Sequence, residues 1–154
     1  MDAQHAELMT TFPMFQDYTA RGTQSLIERG QIREFAPGDL LFKEGEPAKS
    51  VLLILTGKAE VFVETEGNEV GLTNAGPSRM LGELAVLGGI RRPASARAAV
   101  PTAAIEWDGK AFRRLISSDI DFSQRIFREL IRELAEDDRA LAASLNVLRD
   151  GAES

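Results

Sequence analysis

Between Gln31 and Asp108, short β-prone runs alternate with glycine- and proline-bearing turns, and this rhythm most narrows the folds open to the chain. The runs are Ile32–Phe35, Leu40–Phe42, Val51–Thr56, Ala59–Glu64, Val70–Thr73, Ala96–Val100 and Ala103–Trp107. Pro37-Gly38-Asp39, Glu44-Gly45-Glu46-Pro47, Thr56-Gly57-Lys58, Glu66-Gly67-Asn68 and Asn74-Ala75-Gly76-Pro77 punctuate them. Many short strands at this spacing predict an antiparallel sandwich or barrel. Ala59-Glu60-Val61-Phe62-Val63-Glu64 alternates as a half-buried strand does, whereas the unbroken run Val51–Leu55 predicts burial on both faces. Glu66-Gly67-Asn68 suits a tight hairpin.

The flanks read as helix. Residues 1–30 form an N-terminal helical segment broken near Pro13, with Gly30 as a stop and Phe12-Pro13-Met14-Phe15 as an apolar plug onto the β-domain. That β-domain spans residues 31–108, and residues 109–150 are helical again. Lys110–Ile116 is one short helix, and Ser117-Ser118-Asp119 offers an N-cap to a long amphipathic helix ending near Arg149. Phe127, Ile131, Leu134, Leu141, Leu145 and Leu148 mark its apolar stripe, with Asp138 in the one polar slot. Such a stripe predicts either packing on the chain's own barrel or a homodimer through this C-terminal helix. Residues 151–154 are expected to be a frayed tail.

Composition removes several function classes. The chain has 154 residues and a net charge of -6, which argues against nucleic acid as a partner, since phosphate backbones demand a basic face. There is no cysteine, hence no disulfide or thiolate chemistry. His5 is the sole histidine, which excludes a multi-histidine metal site in the barrel and Ser-His-Asp catalysis. The longest apolar run, Val51–Leu55, is far too short to span a membrane, and no signal peptide opens the chain; a cytoplasmic location follows by default. Gly45-Glu46-Pro47-Ala48-Lys49-Ser50 lacks the glycine a P-loop places before its lysine and is followed by a strand. Glu44, Glu46, Glu60 and Glu64 read as solvated, and Trp107 as core.

One stretch, Gly82 to Ser95, carries chemistry. Its apolar turn offers free N–H groups to a phosphate, and Arg91 and Arg92 offer planar forks of donors. Glu83 repels phosphate, yet accepts hydrogen bonds from hydroxyls beside one. The combination predicts a site for a sugar phosphate.

Several motifs together resemble the cyclic nucleotide-binding domain family. They are Phe35-Ala36-Pro37-Gly38-Asp39-Leu40-Leu41-Phe42-Lys43-Glu44-Gly45-Glu46, then Thr56-Gly57-Lys58-Ala59-Glu60-Val61, then Gly76-Pro77 and Gly82-Glu83-Leu84-Ala85, closed by Arg92 and Ser95. The resemblance covers roughly residues 10–150. It implies a mainly β fold: an antiparallel jelly-roll β-barrel with an N-terminal helical segment and a long C-terminal helix. It implies a ligand-binding cassette made of Gly82, Glu83, Leu84, Ala85, Arg92, Pro93, Ala94 and Ser95. In that cassette Arg92 pairs with the cyclic phosphate, Glu83 accepts the ribose 2′-hydroxyl, and Ala85 donates its backbone N–H to the phosphate. Ser95 supplies a hydroxyl, and Gly82 lets the backbone approach the ligand.

Two positions depart from the family pattern. Pro93 replaces a small residue whose N–H would reach the phosphate, and Leu81 replaces an aromatic. One lost donor on a buried phosphate costs about 1–3 kcal/mol, roughly ten- to a hundredfold in affinity. Pro93 also lacks the hydroxyl associated with a guanine preference, which favours cyclic AMP over cyclic GMP. The expected function is a non-catalytic cyclic nucleotide sensor that signals through its C-terminal helix to a protein partner or fused effector. Ending at Ser154, the chain is expected to lack the DNA-binding segment that the family often carries, or to be a regulatory module of a larger protein. The alternative is a domain of this fold that has lost nucleotide binding and serves as an interaction or dimerisation module.

Overall fold

A computed structural model describes the backbone of residues 2–153 and, within that span, every side chain except those of residues 2, 138, 140–142 and 144–153. The chain divides into two compact units, Met1–Leu115 and Ile116–Ser154.

The first unit opens with α1 (Asp2–Thr10), a 3-10 turn (Pro13–Phe15) and α2 (Ala20–Glu28). Next come the strands β1 (Gln31–Phe35), β2 (Leu40–Phe42), β3 (Ser50–Thr56), β4 (Ala59–Thr65), β5 (Asn68–Ala75) and β6 (Met80–Leu81). After α3 (Glu83–Gly88) come β7 (Ser95–Ala98), β8 (Thr102–Asp108) and α4 (Gly109–Ser118), whose last turn enters the second unit. The eight strands form two four-stranded antiparallel sheets, β1-β8-β3-β6 and β2-β7-β4-β5, which make a jelly roll.

Between the sheets lie Phe35, Leu41, Leu52, Ile54, Ala59, Leu81, Ala96, Ala98 and Ala104. Val51 to Leu55 are buried to the last residue, because β3 lies between β8 and β6 and has core on both faces. Each such side chain contributes about 1.5–3 kcal/mol relative to an exposed one. Phe12, Met14 and Phe15 are buried, as the apolar plug required, and Trp107 in β8 donates its indole N–H to Leu26 O at 2.9 Å, tying the sheet to α2. The β4–β5 hairpin turns on Glu66 and Gly67, at φ 55° and 83°. Positive φ at both central residues, with Thr65 opposite Asn68, is the two-residue turn whose twist matches the strands.

The structure departs from the sequence reading at three places, two of them in the barrel. β6 is two residues long, too short for any periodicity to reveal, and exists only through its pairing with β3. β7 stops at Ala98 instead of Val100, since Ala99 N–H turns to Lys58 O and Pro101 ahead cannot donate to a ladder.

The third lies in the second unit, where α5 runs from Ile120 to Glu153, with Asp119 Oδ1 accepting from Phe122 N–H at 3.0 Å as its N-cap. The tail expected from Gly151 is helical backbone as far as Glu153, because one glycine costs only about 1 kcal/mol relative to alanine and does not stop a helix. Ser154 lies outside the described residues, and Asp138, Leu141, Leu145 and Leu148 outside the described side chains. Of the apolar stripe, Phe127, Ile131 and Leu134 are described, and all three are exposed. Among the described residues, no helix is long and apolar enough to cross a membrane.

Candidate functional site

The cassette is built from β6, α3 and the segment leading into β7. Gly82 ends β6 at φ 85° and serves as the N-cap of α3, a left-handed conformation that glycine adopts cheaply. The first N–H groups of α3 have no partner within the helix. Ile90 N–H bonds Ala85 O at 3.0 Å and Gly89 N–H bonds Val86 O at 3.4 Å, with Gly89 at φ 64°, so a Schellman motif ends α3 after six residues. This short helix returns the chain to the sheet at Arg91, which pairs with Pro47 in an isolated bridge.

Arg92 is only 3% exposed. Its guanidinium donates to Gly82 O (Nη1, 3.2 Å), to Ser50 O (Nη2, 2.6 Å) and to Ser50 Oγ (Nη2, 3.3 Å). Its carbon Cζ lies 4.2 Å from the centroid of the Phe42 ring. Its Nε–H is buried and has no hydrogen-bond partner. Arg92 belongs to none of the ion pairs among the described residues. Burial pushes its pKa down, and the charges of Glu46, Glu106 and Glu83 offset part of that. Arginine stays protonated through such shifts. The result is a buried cation without a contacting carboxylate and with a donor to spare.

Glu83 is the first residue of α3, is also buried, and has its carboxylate at the positive end of that helix. Ala85 and Ala94 are buried, while Leu84 and Pro93 are exposed. Gly82 approaches Arg92 so closely that a Cβ there would collide with Nη1. In this structure the backbone's near neighbour at Gly82 is therefore the guanidinium.

Ser95 is placed differently. Ala96 and Ala98 face the core, so by strand alternation Ser95 and Arg97 stand on the opposite face of β7. Ser95 Oγ accepts Glu44 N–H at 2.8 Å and fastens the turn after β2. Arg91 is exposed and donates through Nη1 to Gly45 O at 3.0 Å, which separates it from the buried anchor. The structure thus brings together Gly82, Glu83, Ala85 and Arg92 at one end of α3, with Ser95 serving the neighbouring turn.

Sequence reasoning did not anticipate Phe42 and Ser50, which lie far from Arg92 in the chain. Their only signals were Phe42's place in the Phe42-Lys43-Glu44-Gly45-Glu46 motif and Ser50's place just before the Val51–Thr56 run. Two hollows flank this region. One of about 510 Å³ is lined by Arg29, Gln31, Lys49, Ser50, Glu106 and Asp108, with Gly30. The other, about 270 Å³, includes Ala85, Arg91 and Arg113 in its lining. The larger shares Ser50 and Glu106 with the surroundings of Arg92 and contains none of the cassette residues.

A family model described as the cyclic nucleotide-binding domain matches residues 32–119, which contain the barrel from β1, the cassette and α4. The chain belongs to the cyclic nucleotide-binding domain family. A CRP-like cAMP-activated global transcriptional regulator of Mycobacterium tuberculosis is 30% identical over 137 residues, covering 88% of this chain and 61% of the regulator. The chain therefore spans less than two thirds of that relative's length. Among solved structures, the catabolite activator protein of Thermus thermophilus superposes with a TM-score of 0.74 at 25% identity, covering 84% of this chain and 61% of that one. A cAMP-binding acyltransferase from Mycobacterium smegmatis shares the fold, with a TM-score of 0.72 at 23% identity, covering 88% of this chain and 42% of that one.

Proposed function

We propose that this domain binds a cyclic nucleotide at the α3 cassette, cyclic AMP in preference to cyclic GMP, and works as a sensor without chemistry of its own. The observation that carries the reading is Arg92: buried, unpaired with any carboxylate among the described residues, and holding an unused Nε–H. A buried cation calls for an anion, and a cyclic phosphate at the N-terminus of α3 would supply one charge to both. Glu83, beside that position, has the acceptor chemistry for a ribose hydroxyl. Ala85 N–H is the further phosphate donor, and Ala94 lies beside Arg92 on the way into β7.

The mycobacterial relative, cAMP-activated by name, supports the choice of cyclic AMP. Pro93, which offers no hydroxyl, supports it too. Output would pass through α5, whose position a bound nucleotide biases if it binds one arrangement better than another. The receiver would be a protein partner, a fused effector or a second copy meeting the exposed Phe127, Ile131 and Leu134. The compartment proposed is the cytoplasm.

Pro93 also favours a second reading, in which the cassette no longer holds nucleotide and the domain acts as an interaction module. Calorimetry with cyclic AMP and cyclic GMP separates the two. Saturable heat with cyclic AMP, and a raised melting temperature, support the sensor. No heat and no melting shift at millimolar nucleotide overturn it in favour of the module.

A further inference from the structure

We infer that Phe42 is a positioning residue for Arg92, and that the β2–β3 turn clamps the two together. This rests on the reading of Arg92 as the anion anchor and adds to that site a residue outside the cassette. The Phe42 ring covers one face of the guanidinium at 4.2 Å, while Ser50 O and Gly82 O take its Nη groups at 2.6 and 3.2 Å. A planar group held on a face and along two edges has its plane fixed. The long arginine side chain therefore loses its rotamer freedom on folding, before any ligand arrives.

The clamp joins two backbone hydrogen bonds to two that use side chains. Arg92 N–H donates to Glu46 O at 2.9 Å, and Gly45 N–H donates back to Arg92 O at 2.9 Å. Glu44 N–H reaches Ser95 Oγ at 2.8 Å, and Arg91 Nη1 reaches Gly45 O at 3.0 Å. Phe42 itself sits opposite Ala96 in the β2–β7 pairing. The strand that carries the ring and the segment that carries the arginine are thus locked in register on both sides of residue 92. Ser95 and Arg91 serve the anchor indirectly, through this turn.

The test is calorimetry with cyclic AMP on the full chain. Phe42→Leu keeps bulk but removes the ring face and is expected to weaken binding about tenfold. Phe42→Tyr, which keeps the face, stays within about twofold of the wild type. In an Arg92→Lys background, where no plane needs orienting, Phe42→Leu costs a clearly smaller factor. Wild-type affinity in Phe42→Leu, or an equal loss in both backgrounds, overturns the positioning role. A wild-type chain that binds no cyclic nucleotide instead overturns the anchor reading. The contact is then still measured by urea unfolding of Phe42→Leu, Arg92→Ala and the double variant. Coupling of about fivefold in the unfolding equilibrium is expected, and simple additivity refutes it.

Discussion

Gly82 is where backbone conformation and the anchor meet, so Gly82→Ala is the most informative single change. Two costs are expected. The first is strain: φ 85° is left-handed, and an alanine there loses about 1–2 kcal/mol. The second is displacement, because the new Cβ would overlap Arg92 Nη1. A free arginine would swing aside at little cost, but this one is held by Gly82 O, Ser50 O and the Phe42 ring. Moving it gives up at least one charge-assisted hydrogen bond, about 1.5–3 kcal/mol. The sum is about 2.5–5 kcal/mol, or roughly 5–20 °C in melting temperature for a chain of this size.

Gly89→Ala supplies the control. Gly89 is also left-handed, at φ 64°, but no atom stands within 4 Å of its Cβ position, so it should lose only the strain. Urea and thermal unfolding of the two variants, each also in an Arg92→Ala background, isolate the displacement term. The excess cost of Gly82→Ala over Gly89→Ala should shrink when Arg92 is removed, leaving the smaller part due to Ser50 O, which stands 3.2 Å from the new Cβ. Equal costs in the two glycine variants, or an excess undiminished in the Arg92→Ala background, would refute the packing described for the guanidinium.

Removal of the anchor itself, Arg92→Ala, should weaken cyclic AMP binding by at least about a hundredfold in calorimetry, the loss of a buried charge-assisted contact; unchanged affinity would move the anchor elsewhere. Glu69 accepts both Nη groups of Arg97, and this hydrogen bonding holds its carboxyl below the ordinary value of 4.5. Its folded-state pKa is depressed, so the stabilisation is present above about pH 4.5 and is lost as pH falls through the folded value. Glu69→Gln should therefore flatten the stability–pH curve below about pH 4.5, and a superimposable curve would discount the pair. Serine at both Phe127 and Ile131 should reduce self-association in analytical ultracentrifugation, and a wild-type chain that stays monomeric at every concentration would rule out dimerisation through α5.

Much of the fold was legible from the chain because much of it is local. The hairpin at Glu66-Gly67 depends on two residues that accept positive φ, and the burial of Val51–Leu55 on an unbroken apolar run. The turn and capping residues around α3 sit within one another's reach, so the helix is short for reasons present in Gly82 to Ile90 itself. The cassette's two charged residues, Glu83 and Arg92, stood out by type and spacing. β6 did not, because two residues carry no period and depend on β3 for their hydrogen bonds.

By itself, then, the sequence determined the antiparallel barrel, its flanking helices and the presence of a carboxylate and an arginine at either end of a stretch that holds a short helical turn. Only the tertiary structure decided what that arginine does with its five donors. It turns inward to Ser50 and Gly82 beneath Phe42, while Ser95, three residues on, spends its acceptor on the neighbouring turn. The physical reason is distance along the chain. Propensity, capping and turn geometry act over a few residues, whereas the surroundings of a buried charge are set by whichever strands the sheet register brings beside it.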